Sequence, residues 1–156
     1  HKTLPSFTQT ALLHLRGDRV RAEEVERYLG IFQSSSPSYV FMAGIENCIY
    51  YMDGRGRREM EHFSERLLSL RTALREMNHL LLLDRDFIGK FGIFDMDPAK
   101  IVISTERTNL TGADLDGILR ERYHLEMEMC GADHVVGITS LDFSGWRRLC
   151  WSWTAV

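Results

Sequence analysis

A histidine and a lysine occupy the first two positions of the chain, and the lysine is the side chain with the clearest route to covalent chemistry. A lysine amine attacks an aldehyde to form an imine, which is one way that enzymes attach a cofactor. Lys2 is therefore the first candidate for a catalytic residue. The competing interpretation is an ordinary solvated lysine close to a chain end, and composition alone favours it.

A second candidate group is a run of small hydroxyl residues farther along the chain. Ser34, Ser35 and Ser36 stand just before a proline, and Tyr39 follows shortly after it. Hydroxyls and loop amides together suit a phosphate group, so the run predicts a cofactor-binding loop. The alternative is a loop that only caps the following helix, with Ser36 or Ser38 as the N-cap.

Both groups lie in segments that resemble the Orn/Lys/Arg decarboxylase family of pyridoxal-phosphate-dependent enzymes. That family carries a Ser-x-His-Lys segment followed by a small residue-Gln-small residue pattern, and later a Gln-Ser-Thr-Ser-Pro-Ser-Tyr segment. The matching residues here are His1-Lys2, Thr8-Gln9-Thr10-Ala11, Gln33-Ser34-Ser35-Ser36-Pro37-Ser38-Tyr39 and Met42-Ala43. The resemblance is concentrated in residues 1–45. One departure, a serine in place of the threonine, keeps the hydroxyl.

The resemblance implies an activity and a set of site residues. Lys2 would hold pyridoxal 5'-phosphate as an imine, and an arginine, lysine or ornithine substrate would displace it and lose carbon dioxide to leave an amine. His1 would lie beside the cofactor phosphate. The loop of Ser34–Ser36 would contribute to cofactor binding across the interface of a homodimer, and Tyr39 would contact the substrate. The pattern does not choose among the three amino acids.

The resemblance also implies a fold-type I architecture of the α/β class, of which this chain would be the C-terminal part. Residues 1–55 would complete the large cofactor domain, 56–77 would form a long linking helix, and 78–156 would form a small α/β domain. The chain begins within the attachment motif, so we expect the cofactor-binding residues upstream of the lysine to be missing. On this interpretation the 156 residues alone bind the cofactor weakly and do not decarboxylate amino acids.

Composition excludes several other classes of protein. A net charge of −3 gives no basic footprint for nucleic acid, and no apolar run is long enough to cross a membrane. Three cysteines without close pairing suit a reducing compartment, so a cytoplasmic location is expected. The histidines, cysteines and acidic residues show no spacing typical of a metal site.

Periodicity predicts the elements that must position these residues. Apolar residues spaced three and four apart indicate helices, and short apolar or alternating runs indicate strands. Thr111 is predicted to be the N-cap of its helix. Helices are predicted over 22–33, 39–52, 57–77, 111–123 and 143–153, and strands over 11–15, 100–104, 125–129 and 135–139.

Two alternatives remain open at the level of sequence. Another fold-type I enzyme, such as an aminotransferase, would share the lysine but release a keto acid instead of an amine. A non-catalytic α/β module would begin with the same dipeptide by coincidence and use its tryptophan-rich end, Trp146, Trp151 and Trp153, as a contact surface.

Overall fold

The computed structural model describes residues 3–33 and 36–141, which fall into two compact units. Unit 1 comprises residues 1–54 and unit 2 comprises residues 55–156. The predicted helix over 143–153 and the tryptophan-rich end lie outside the described residues. The predicted α/β class is confirmed, since helices and a sheet are both present.

The described residues of unit 1 form two helices, as the sequence predicts. Helix α1 spans Ala22–Phe32 and has two acidic residues in its first turn, where they complement the helix dipole. Helix α2 spans Tyr39–Asp53 and begins at Ser38, whose Oγ accepts a hydrogen bond from the backbone N–H of Phe41 at 3.4 Å. Ser38 is therefore the N-cap, one of the two serines predicted for that role.

The strand predicted over residues 11–15 is wrong. These residues adopt no regular structure, and Leu12 and Leu13 are each 58% exposed. A strand needs a neighbouring strand to satisfy its backbone hydrogen bonds. No other described segment of unit 1 is a strand.

Unit 1 exposes most of its large apolar side chains. Among its described residues Cys48 is the only buried one. Exposed on α1 is a stripe that includes Tyr28, Leu29 and Phe32, and the rings of Tyr28 and Phe32 stack with centroids 6.4 Å apart. The described residues of unit 1 therefore do not enclose a hydrophobic core of their own.

The described residues of unit 2 form a long helix, a shorter helix and a four-stranded sheet. The helices are α3 (Arg55–Arg75) and α4 (Gly112–Tyr123), and a 3-10 helix spans Arg85–Phe87. The strands are β1 (Leu81–Leu83), β2 (Lys100–Ser104), β3 (Met129–Cys130) and β4 (His134–Ile138). Their order in the sheet is β1-β2-β4-β3, and all three pairings are antiparallel.

The core of unit 2 forms where one face of the sheet meets the two helices. Ile103 of β2 is paired with Val135 of β4, and both side chains are fully buried. The predicted apolar stripe of α3 lies in this core, as do the buried leucines of α4. The helix residues of the core cluster are Phe63, Leu67, Leu70, Leu74, Leu115 and Leu119.

Helix α4 has well-defined ends. Thr111 is the N-cap, as predicted: its Oγ1 accepts from the N–H of Asp114 at 3.1 Å, and the Asp114 carboxylate accepts from the N–H of Thr111 at 2.9 Å. The Thr111 hydroxyl also donates to the Asp114 carboxylate at 2.6 Å, and this hydrogen bond together with the one from the Thr111 N–H lowers the pKa of Asp114. At the other end His124 adopts the left-handed conformation with φ of 56°, and its N–H bonds the carbonyl of Arg120.

The first residue of α4 touches the turn between β3 and β4. A Cβ atom on Gly112 would lie 2.3 Å from the carbonyl oxygen of Gly131 and 2.4 Å from that of His134. The N–H of Gly112 also donates to the carbonyl of Ala132 at 2.9 Å. Only glycine allows two backbone segments to approach this closely.

A buried arginine joins α3 to the sheet. Arg71 donates five hydrogen bonds: two to Oδ1 of Asp84, at 3.2 and 3.0 Å, and one each to the carbonyls of Leu83, Pro98 and Lys100, at 2.8, 2.9 and 3.3 Å. A guanidinium has five N–H groups, so all of them are used. These hydrogen bonds and the ion pair offset the free-energy cost of burying the charged guanidinium.

Both oxygens of the partner carboxylate accept hydrogen bonds. Asp84 accepts from Arg71, from Nε of Arg75 and from the backbone N–H of Arg85. Burial raises the pKa of Asp84, but the hydrogen bonds from Arg75, the Arg85 backbone and Arg71 outweigh it and hold this pKa below its ordinary value. The same contact with Asp84 raises the pKa of Arg75.

One further strand prediction differs from the structure, and one observed strand has no counterpart among the predictions. The strand predicted over 125–129 is wrong: β3 starts only at Met129, while Leu125 and Met127 belong to a loop that packs against the core. Over residues 125–128 the apolar side chains alternate with polar ones because every second one packs against the core, although these residues form no strand. Strand β1 was not predicted, because its three residues are all leucines and show no alternation.

Candidate functional site

Most of the predicted cofactor-site residues lie outside the described part of the chain. These are His1, Lys2, Ser34 and Ser35, so their roles stay predictions. Of the others, Ser36 and Tyr39 are described, and both are exposed on unit 1.

The segment that follows the lysine folds into a hydrogen-bonded turn. The hydroxyls of Ser6 and Thr10 lie 2.9 Å apart, and Oγ1 of Thr10 donates to the carbonyl of Phe7 at 2.6 Å. The backbone N–H of Thr10 also donates to that carbonyl, at 3.2 Å. The turn is thus built from the small hydroxyl residues around Gln9, whose own side chain is exposed.

Phe7 anchors this turn on helix α2. Its ring lies over Gly44, where an added Cβ would be 2.5 Å from Cδ2 of Phe7, and its centroid is 5.9 Å from that of Phe41. Phe41 in turn donates its backbone N–H to Ser38. The structure therefore brings the turn after the lysine motif into contact with the first turns of the helix that begins at the second motif.

The N-terminus of α2 has the chemistry that an anion requires. Its first turn contains no acidic residue, and the helix dipole places partial positive charge there. The Oγ of Ser38 accepts from Phe41, which leaves its O–H free to act as a donor. Tyr39, the first residue of the helix, is 80% exposed and open to contact from outside unit 1. The residues described here fit a phosphate-bearing cofactor, although they are only part of a site.

The contact between Phe7 and Gly44, which holds the turn against α2, is not among the features predicted from the sequence. A glycine in a helix interior costs roughly 0.5–1 kcal/mol relative to alanine, and its presence in a predicted helix indicates a close approach by another group. That signal was available at Gly44. The sequence does not show that the approaching group is the ring of Phe7.

Residues 3–33 and 36–141 contain no group of three or more His, Cys, Asp or Glu side chains arranged to hold a metal ion. Over the same ranges no helix has the length and apolar character needed to cross a membrane.

Comparison with known proteins points to one family. The family model described as Orn/Lys/Arg decarboxylase, major domain, matches residues 1–142. The arginine decarboxylase of Halalkalibacterium halodurans is 26% identical over 140 residues, which is 90% of this chain and 28% of that protein. The Bacillus subtilis protein YaaO is 30% identical over 151 residues, 96% of this chain and 30% of its own length.

Solved structures show the same fold. The Francisella novicida lysine decarboxylase LdcF aligns with a TM-score of 0.71 at 19% identity, covering 97% of this chain and 26% of that one. The constitutive lysine decarboxylase of Escherichia coli aligns with a TM-score of 0.72 at 20% identity, covering 99% of this chain and 27% of that one. The chain therefore spans less than a third of the length of each of these relatives.

Proposed function

This chain belongs to the Orn/Lys/Arg decarboxylase family, and on that basis we propose that it forms part of a pyridoxal-phosphate-dependent enzyme that decarboxylates a basic amino acid. The observation that carries the proposal is the match of the family model to residues 1–142, a range that contains both motif segments. The packing of Phe7 on Gly44 supports it, because it joins the elements that follow these two segments.

We propose that Lys2 is the covalent attachment point of the cofactor and the catalytic residue of this chain. His1 would donate a hydrogen bond to the phosphate. The hydroxyls of Ser34, Ser35 and Ser36 would donate to the same group, next to the positive end of α2. When bound, pyridoxal phosphate supplies an electron sink for the charge left on the substrate as carbon dioxide departs.

Tyr39 is proposed as a substrate contact, since its exposed side chain can pack against a group that does not belong to unit 1. The chain covers less than a third of its relatives, so we propose that other parts of the protein, and a second subunit of a homodimer, complete the site. The 156 residues alone are then expected to bind the cofactor weakly and to show no turnover. A cytoplasmic location remains the expectation from cysteine usage.

Arginine is the first substrate to test, because the decarboxylase of H. halodurans and those of Bacillus anthracis and Bacillus cereus are named arginine decarboxylases. The assay measures carbon dioxide and amine released from arginine, lysine and ornithine by the longer protein that contains this chain. A keto acid product in place of the amine would favour the aminotransferase alternative. No reaction with any amino acid would favour a binding module.

The role of Lys2 is tested by reducing the cofactor-loaded protein with borohydride and mapping the modified peptide. We expect the label on Lys2, and we expect Lys2→Ala to lose the visible absorbance of the attached cofactor together with amine production. Lys90→Ala is the matched control, because Lys90 is an exposed loop residue of unit 2. A Lys2→Ala protein with unchanged absorbance and turnover would refute the assignment.

A further inference from the structure

A cavity of about 290 Å³ lies within unit 2, beside α3 and the residues that follow β1. None of the residues that line it is among those proposed to hold the cofactor. Three arginines and one aspartate line it: Arg71, Arg75, Arg85 and Asp84. An accumulation of guanidinium groups at a concave surface is a common way to bind anions.

The charges that line the cavity do not balance. Asp84 carries one negative charge against three positive ones, which leaves a surplus of two. Asp86 also acts electrostatically on Arg75 and lowers the local surplus to one. The carboxylate of Asp84 already accepts hydrogen bonds from three residues, so it repels an anionic ligand less than an unpaired carboxylate would.

The three arginines differ in what they have left to donate. Arg71 has used all five N–H groups inside the protein. Arg75 uses Nε on Asp84, while its side chain stays 53% exposed. The side chain of Arg85 makes no hydrogen bond or ion pair with any residue of the described ranges. Arg75 and Arg85 are therefore the two groups with donors available to a ligand.

The rest of the lining is mainly apolar. Leu67, Leu68 and Pro98 form part of the wall. Ser64 and Thr72 also line it, and each donates its hydroxyl to a carbonyl of its own helix, at 2.9 Å in both cases. The volume lies just below the usual range for small-molecule sites, about 300–1,000 Å³, and suits a small ligand.

We propose that this cavity binds a small organic oxyanion, a phosphate or a carboxylate attached to a short apolar group. The guanidinium groups of Arg75 and Arg85 bind the anionic head, and Leu67, Leu68 and Pro98 contact the apolar part. Arg71 and Asp84 are positioning residues, because their mutual hydrogen bonds fix α3 against β1 and so fix the shape of the cavity. The inference does not depend on the proposed decarboxylase activity.

The experiment is calorimetric titration of the purified chain at constant ionic strength with inorganic phosphate, phenyl phosphate and butyrate. Phosphate alone tests the anionic head, and the other two probes distinguish a phosphate from a carboxylate ligand. We expect at least one organic probe to bind with 1:1 stoichiometry and more tightly than inorganic phosphate, because it also contacts the apolar wall. Saturable binding of none of the three would overturn the proposal.

Arg85→Gln is the principal variant, because the side chain of Arg85 makes no hydrogen bond or ion pair with a described residue. We expect a loss of affinity of about tenfold, which is the size of one charge-assisted hydrogen bond. Arg58→Gln removes one positive charge from the exposed surface of α3 outside the cavity and should leave the affinity unchanged. Equal losses in the two variants would show non-specific attraction to positive charge and refute the site. Arg75→Lys, which keeps the charge beside Asp84, should also weaken binding because it loses the guanidinium fork.

Discussion

Replacing Asp84 with asparagine removes the only carboxylate that contacts Arg71 and Arg75 in the described structure. The side chains of Asp84 and Arg71 are each only 8% exposed, so the change leaves a buried guanidinium without its counter-charge. Removal of one partner of a buried ion pair typically costs about 3–5 kcal/mol. Asparagine matches the volume of aspartate, so the loss reports charge and hydrogen bonding with little contribution from a cavity.

The assay is urea unfolding followed by circular dichroism at 222 nm. With an m-value of roughly 1–3 kcal/mol per molar urea, this loss should lower the unfolding midpoint by at least about 1 M. Asp86→Asn is the matched control: it removes an exposed neighbouring carboxylate, and we expect a change of no more than about 0.5 kcal/mol.

The effect should also depend on pH in a defined direction. The pKa of Asp84 is lower in the folded chain than its ordinary value, which for aspartate is about 3.9. Its ionisation therefore contributes stability that is fully present above the ordinary pKa and is lost as the pH falls through the folded value. The difference in stability between the original chain and Asp84→Asn should be constant near neutral pH and shrink below about pH 4.

Two outcomes would contradict this reasoning. A midpoint for Asp84→Asn as high as that of Asp86→Asn would show that the ion pair is not linked to folding. A difference that stays constant down to pH 2 would show that the charge of Asp84 is not the origin of the effect. A double-mutant cycle with Arg71→Met should give a coupling energy, since the two side chains bond directly.

Two glycine substitutions with opposite expectations test the close approaches. Gly112→Ala should destabilise the chain by about 1–3 kcal/mol, because the new Cβ lies 2.3 Å from a carbonyl oxygen; Gly117→Ala on the same helix meets nothing within 4 Å and should stabilise it by up to about 1 kcal/mol. Urea midpoints check both, and equal effects would contradict the assigned contact. Gly44→Ala should displace the ring of Phe7 and weaken retention of pyridoxal phosphate by the longer protein, measured by cofactor absorbance after dialysis. Gly30→Ala, with no atom within 4 Å, is its control, and unchanged retention in Gly44→Ala would argue against the link.

The sequence predicts the helices better than the strands, for a physical reason. A helix satisfies its backbone within one segment, so periodicity and caps such as Thr111 locate it. A strand depends on its partners. The apolar run over 11–15 has none in the described part of unit 1, and the alternation over 125–129 comes from packing on the core. Strand β1 exists because β2 pairs with it, which no pattern inside its three leucines shows.

The candidate site likewise has parts that the sequence indicates and parts that only the fold shows. The resemblance of the motif segments to a family was enough to indicate Lys2 and the serine run, and the family match is consistent with it. The contact that joins these segments, Phe7 on Gly44, depends on tertiary packing. The cavity in unit 2 was not predicted either, because Arg71 and Arg75 on α3 are separated along the chain from Asp84 and Arg85, and only the fold brings the two pairs together.

The hydrogen bonds of Arg71 determine what an arginine-to-lysine difference at this position would mean when relatives are compared. Five donors meet acceptors on two separate stretches of chain: Leu83 and Asp84 at the end of β1, and Pro98 and Lys100 at the start of β2. Lysine carries the same charge but only three donors, so it would leave at least two of these bonds unmade. At this position an exchange usually regarded as conservative is a structural change. A relative with lysine there must hold its long helix and sheet together in a different way.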